Sequence, residues 1–251
     1  MSGTDHALHR AAQARRSRRR ALVGLALALA LAVTTIGCGD DPPPEGSTTL
    51  GGGVHAIERG PADAPLTVLF LHGAAYTSSV WDRTGILDLV ADAGHHAIAV
   101  DLPGAGATPA LDAADGQDGS TVGPGTWLRS LVDELGGPER TVVVTPSASG
   151  RYSLGYLAAH PDEPLAGLVP VAPVGIDAFE RPADAAPIPS LIVWGEQDPA
   201  FSAEASTALR DQLRSPDSTE VVLAGAGHAA YEDDPDGFTE ALLAFLADRP
   251  A

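Results

Sequence analysis

Residues 140–154 read Arg-Thr-Val-Val-Val-Thr-Pro-Ser-Ala-Ser-Gly-Arg-Tyr-Ser-Leu, and their types could make a hydroxyl reactive. Strand-forming residues 141–144 run into small residues around Ser147, and a helical pattern starts near Ala148. A serine at the apex of a sharp strand-to-helix turn needs small neighbours two before and two after it, so that strand and helix can approach. Thr145 and Ser149, followed by Gly150, meet that need. Ser149 is the rival nucleophile, but it would place Arg151 where a small residue is required. Alone the pattern is weak, because Ser, Thr, Pro and Gly clusters after strands are commonly loops.

A serine nucleophile requires a base to take its proton and a carboxylate to orient that base. Asp198 follows the apolar run 191–194 through Gly195-Glu196-Gln197, and His228 follows residues 220–223 through Ala224-Gly225-Ala226-Gly227. In an open parallel sheet, such loops converge at the carboxyl ends of the strands. Each residue has a plainer reading: Asp198 before Pro199 can cap a helix, and His228 is one of eight histidines. Three strand ends carrying Ser, Asp and His together favour acyl-transfer chemistry. No metal or cofactor is expected. The histidines lack partners at ligand spacing, and Gly104-Ala105-Gly106 lacks the third glycine and helix start of a dinucleotide loop.

The elements that must position these groups alternate. Strand patterns fall at residues 54–58 (an edge candidate), 66–71, 96–100, 141–144, 165–171, 191–194 and 220–223. Helical spacing covers 79–93, 125–135, the stretch from about 148 to 159, 204–213 and 235–247. Such alternation predicts an α/β domain with a mostly parallel sheet covered by helices on both faces. Residues 173–190 are proline-rich and too short for an inserted lid domain. Asp101 precedes a Pro-Gly turn and reads as structural.

The 251-residue chain suits one substantial α/β domain. Its fifteen cations are all Arg, and six of them precede residue 21. Removing residues 1–37, which hold those six and one acid, leaves nine basic and 32 acidic groups. That balance disfavours nucleic acid and anionic headgroups as ligands of the folded part. Basic residues 15–20, apolar residues 21–33 and then small residues before Cys38 form the plan of an export signal. Cys38 is the sole cysteine, which excludes an internal disulfide. The expected domains are a signal at 1–38, a Pro/Gly-rich tether at 39–53 and a catalytic domain at 54–251.

Thr35-Ile36-Gly37-Cys38 resembles a bacterial lipoprotein signal, with Thr35 where Leu is usual. That resemblance implies lipidation of Cys38 and an exported protein anchored to a membrane of the bacterial cell envelope. The remainder resembles an α/β-hydrolase, more narrowly the lid-less subgroup of abhydrolase domain-containing protein 14. The matching stretches are Leu71-His72-Gly73, Ser79-Val80-Trp81, Asp101-Leu102-Pro103-Gly104-Ala105-Gly106, Pro146-Ser147-Ala148-Ser149-Gly150, Gly195-Glu196-Gln197-Asp198-Pro199 and Gly225-Ala226-Gly227-His228. The resemblance implies the α/β-hydrolase fold without a large lid, and a catalytic triad of Ser147, Asp198 and His228. It also implies that the backbone N–H groups of Ala74 and Ala148 form the oxyanion hole. The implied activity is serine hydrolysis of small acyl esters or related acyl compounds. Alternatives are acyl transfer to a thiol or amine, and a catalytically silent surface lipoprotein. Tyr76, Tyr152 and Tyr231 are candidate pocket walls.

Overall fold

The computed structural model describes residues 44–111 and 123–249. The signal, Cys38 and the start of the tether lie outside the described residues. Among the described residues, no helix is long and apolar enough to cross a membrane.

Alternating apolar stretches form one eight-stranded sheet: β1 (Ser47–Leu50), β2 (Val54–Arg59), β3 (Thr67–Phe70), β4 (His96–Val100), β5 (Thr141–Pro146), β6 (Gly167–Val171), β7 (Leu191–Gly195) and β8 (Thr219–Leu223). Their order is β1-β2-β4-β3-β5-β6-β7-β8. The β1–β2 and β2–β4 pairs are antiparallel and the others parallel. The expected α/β-hydrolase architecture is therefore present, and the central strands β3 to β7 are buried along their whole length. Such strands need apolar residues at successive positions rather than alternation, because helices cover both faces.

The helices are α1 (Ser79–Arg83), α2 (Ile86–Asp92), α3 (Pro124–Glu134), α4 (Gly150–Ala159), α5 (Ala203–Leu213), α6 (Ala230–Asp233) and α7 (Pro235–Ala247). Val68, Phe70, Val142 and Val144 pack with Trp81, Leu87, Phe238 and Leu242. Leu69, Leu71 and Val143 face the other way, towards Leu128, Leu131, Leu157 and Leu209. The period of two along each strand sends successive residues to opposite cores. Each such fully buried side chain stabilises the fold by roughly 1.5–3 kcal/mol.

Three expectations are corrected. The edge candidate at 54–58 is not an edge, since β1 pairs outside it with Ser47 opposite Ile57 and Leu50 opposite Val54. The glycines read as tether are the hairpin turn, Gly52 and Gly53 having φ of 67° and 75°. Pairing therefore begins at Ser47, inside the stretch expected to be a tether. The single helix expected at 79–93 is two, because Gly85 adopts φ 74° between α1 and α2. The β6–β7 connection holds only a 3₁₀ turn, Ile176–Ala178, and no inserted lid.

Candidate active site

β5 carries the chain straight into Ser147, whose φ of 50° is left-handed. For a residue with a Cβ this conformation costs roughly 1–2 kcal/mol, so its surroundings must impose it. They do so on both sides. Two residues earlier, the buried Thr145 hydroxyl lies 3.0 Å from Ser153 Oγ on α4. Two residues later, Ser149 is fully buried and donates its hydroxyl to Pro146 O at 2.7 Å. That bond removes Ser149 as a rival nucleophile. A Cβ on Gly150 would sit 2.9 Å from both Pro173 Cβ and Val174 O, so only glycine lets α4 start against the end of β6. Val174 N donates to Ser147 O at 3.0 Å and ties the turn to that same end.

His228 bridges Ser147 and Asp198. Its Nε2 is 2.8 Å from Ser147 Oγ, and its Nδ1 is 2.8 Å from Asp198 Oδ2. A carboxylate can only accept, so the ring proton sits on Nδ1 and Nε2 is left to accept from the serine hydroxyl. The Asp198 side chain is wholly buried, whereas that of His228 is 45% exposed and open to a substrate. Asp198 Oδ1 is separately occupied by Ala200 N–H at 2.8 Å. The carboxylate is thus held at both oxygens, and the imidazole can rotate only by breaking two bonds. Glu196 takes no part in this chain; its carboxylate accepts from Gly225 N at 2.9 Å.

The two loops that deliver Asp198 and His228 are stitched together by backbone. Glu196 N donates to Leu223 O at 2.9 Å and Gln197 N to Ala226 O at 2.8 Å, while Asp233 Oδ2 accepts from Gly227 N at 2.8 Å. Contact is so close that a Cβ on Gly195 would lie 2.0 Å from Gly227 O and 2.4 Å from Ala226 O. Both obstacles are main chain and cannot swing aside. Gly195→Ala is therefore expected to destabilise the fold by about 1–3 kcal/mol in urea melts. Displacing the His228 loop should also lower kcat by roughly a hundredfold.

The loop after β3 faces Ser147 from the other side. A Cβ on Gly73 would be 3.7 Å from Ser147 Cβ, so the backbone that leads into Ala74 faces the nucleophile. The Ala74 amide has no acceptor among the described residues. The Ala148 amide lies in the first turn of a helical segment, where N–H groups have no partner within the helix. The positive helix end also favours negative charge at this point.

What holds that loop was not legible in the motif. His72 is 1% exposed; its Nδ1–H donates to Gly73 O at 2.8 Å, and its Nε2 accepts from Leu102 N–H at 2.9 Å. Burial lowers the His72 pKa below its ordinary value, against the opposing pulls of the Gly73 carbonyl and Asp101. Asp101, as expected, is structural. It accepts from Ser78 N at 2.7 Å and Ala107 N at 2.9 Å and pairs with His55 at 3.1 Å. Burial works to raise its pKa, but the Ser78 and Ala107 amides outweigh that and hold it below the carboxylate range.

A pH dependence follows from His72. The unfolded imidazole takes its proton near pH 6.5 and the folded one only at lower pH, so this group stabilises fully above about 6.5. The contribution is lost as pH falls towards the folded value. His95 and His96, also lowered by burial, act in the same direction. The Tm is expected to drop as pH falls from 7 to 5, and His72→Gln should reduce that slope by up to one proton equivalent.

Of the candidate pocket walls, Tyr76 and Tyr231 flank Gly73, with Tyr76 Cδ2 at 3.5 Å and Tyr231 Oη at 3.9 Å from its Cβ position. Tyr152 instead sets its ring edge-on to Trp127 at 5.1 Å. Among the described residues, no group of three or more His, Cys, Asp or Glu side chains could hold a metal ion.

Comparison with known proteins agrees with this architecture. Residues 175–235 match the family model for the alpha/beta hydrolase fold. The chain is 40% identical over 184 residues to the Rattus norvegicus protein named "Putative protein-lysine deacylase ABHD14B", covering 72% of this chain and 82% of that protein. It is 39% identical over 184 residues to the Danio rerio protein ABHD14A, covering 72% of this chain and 64% of that one. The crystal structure of the esterase RhEst1 from Rhodococcus sp. ECU1013 shares the fold, with a TM-score of 0.62 at 20% identity over 81% of this chain and 98% of that one. A mostly parallel sheet with no lid domain between β6 and β7, and extended identity to both ABHD14 proteins, lead to one assignment: the chain belongs to the ABHD14 family of α/β-hydrolases.

Proposed function

We propose that the protein is a serine hydrolase that releases acyl groups through an acyl-enzyme on Ser147. The observation that carries this reading is the hydrogen-bonded chain Asp198–His228–Ser147, 2.8 Å at each step, ending on a serine held at φ 50°. Ser147 Oγ attacks the acyl carbonyl while His228 Nε2 takes its proton, and Asp198 stabilises the imidazolium that forms. The oxyanion is met by the N–H groups of Ala74 and Ala148. His228 then gives the proton to the departing oxygen or nitrogen, and water enters by the same route to free Ser147.

Small acyl esters are the substrates the lid-less architecture favours. The name of the rat relative adds acyl-lysine amides, whose leaving group is an amine that also needs a proton from His228. The test is labelling by a serine-directed fluorophosphonate, followed by turnover of short-chain nitrophenyl esters and acyl-lysine peptides. Labelling that vanishes in Ser147→Ala is expected. A wild-type protein that neither labels nor turns over any of these compounds would overturn the proposal.

A further inference from the structure

One polar atom near the nucleophile, the Tyr231 hydroxyl, has no role in the acyl transfer described for Ser147. Tyr231 is 1% exposed, and its ring is fixed on all sides. It stacks on Trp81 with centroids 4.4 Å apart and 25° between planes, and meets Phe238 and Tyr76 edge-on at 6.2 Å each. Trp81 is itself locked, donating Nε1–H to Leu71 O at 2.8 Å, two residues before Gly73. The phenol is therefore aimed by a rigid aromatic stack that is bonded to the end of β3.

That aim brings the hydroxyl to the backbone facing Ser147. Tyr231 Oη and Ser147 Cβ lie 3.9 Å and 3.7 Å from the same point, the Cβ position of Gly73. Gly73 directly precedes Ala74, whose amide is the proposed oxyanion donor. A phenol this deeply buried ordinarily finds a partner for its hydroxyl. Among the described residues, Tyr231 Oη makes no hydrogen bond. Burial, followed by the influence of Tyr76 and Glu232, pushes the Tyr231 pKa up, so the phenol keeps its proton at neutral pH.

We propose that Tyr231 is a third oxyanion donor, its phenol O–H bonding the acyl carbonyl oxygen as negative charge develops there, beside the amides of Ala74 and Ala148. The proposal rests on the serine-hydrolase reading and adds a side-chain donor to it. No proton is transferred; the phenol donates a hydrogen bond and remains a phenol. A neutral donor suits this position because it stabilises the oxyanion without trapping the tetrahedral intermediate as an ion pair.

The test is Tyr231→Phe, which keeps the ring stack on Trp81 and Phe238 and removes only the hydroxyl. On a short-chain ester, kcat should fall by about tenfold to a hundredfold with KM little changed, and the thermal midpoint should stay close to wild type. Carbonyl-oxygen contact is read by comparing the ester with its thionoester, in which sulfur accepts hydrogen bonds weakly. The wild-type preference for the ester should shrink in Tyr231→Phe. Wild-type kinetics in the variant, or equal losses on ester and thionoester with the preference intact, would overturn the assignment. Absence of ester turnover and of Ser147 labelling in the wild-type protein would instead refute the underlying hydrolase reading.

Discussion

Ser147→Ala is expected to lower kcat by roughly five to six orders of magnitude, leaving only the modest rate that binding and the oxyanion donors supply. The reason lies in the single continuous hydrogen-bonded chain. His228 Nε2 has one partner, the serine hydroxyl at 2.8 Å, and without it the base has nothing to activate. The double variant Ser147→Ala/His228→Ala should be no slower than Ser147→Ala, because the two groups act as one unit. Additive losses in steady-state assays would show that His228 works independently of Ser147. Stability should respond differently. With φ at 50°, position 147 strains any residue carrying a Cβ. Ser147→Gly should therefore melt above Ser147→Ala by about 1 kcal/mol in denaturant titrations, while both remain inactive.

The second large effect is expected from Asp198→Asn, which should reduce kcat by about ten-thousandfold with little change in stability. Asp198 Oδ1 accepts from Ala200 N–H at 2.8 Å, and that donor requires an oxygen opposite it. An asparagine must therefore keep its oxygen towards Ala200 and turn its NH₂ towards His228 Nδ1. The imidazole then accepts at Nδ1 and carries its proton on Nε2, so it cannot take the proton of Ser147. Glu196 cannot substitute, since its carboxylate is bound to Gly225 N. A kcat within tenfold of wild type at neutral pH would mean that Asp198 does not set the tautomer.

Much of this arrangement was legible in the chain itself. Strands buried on both faces need runs such as residues 66–71 and 141–144, and β3 and β5 lie within or over those runs because nothing else buries so many β-branched side chains compactly. The turn at Ser147 was legible because its steric demand is local: small residues at 145, 149 and 150 are the condition for a strand and helix to meet. Local signals were read amiss only where glycine has two meanings. Gly51 to Gly53 resemble a linker but form a hairpin turn, and Gly85 divides a continuous helical pattern by adopting a positive φ.

The residue types, their order and the strands that carry them were thus determined by the sequence, through backbone preference and the period of burial. Tertiary structure alone decided which atoms meet. The His72 imidazole receives the Leu102 amide across 30 residues, and Gly195 faces the carbonyl of Gly227. The Tyr231 ring reaches Gly73 by stacking on Trp81. Such contacts join segments distant along the chain, and no propensity or spacing encodes them, because they arise only once the sheet has brought its strand ends to a common edge.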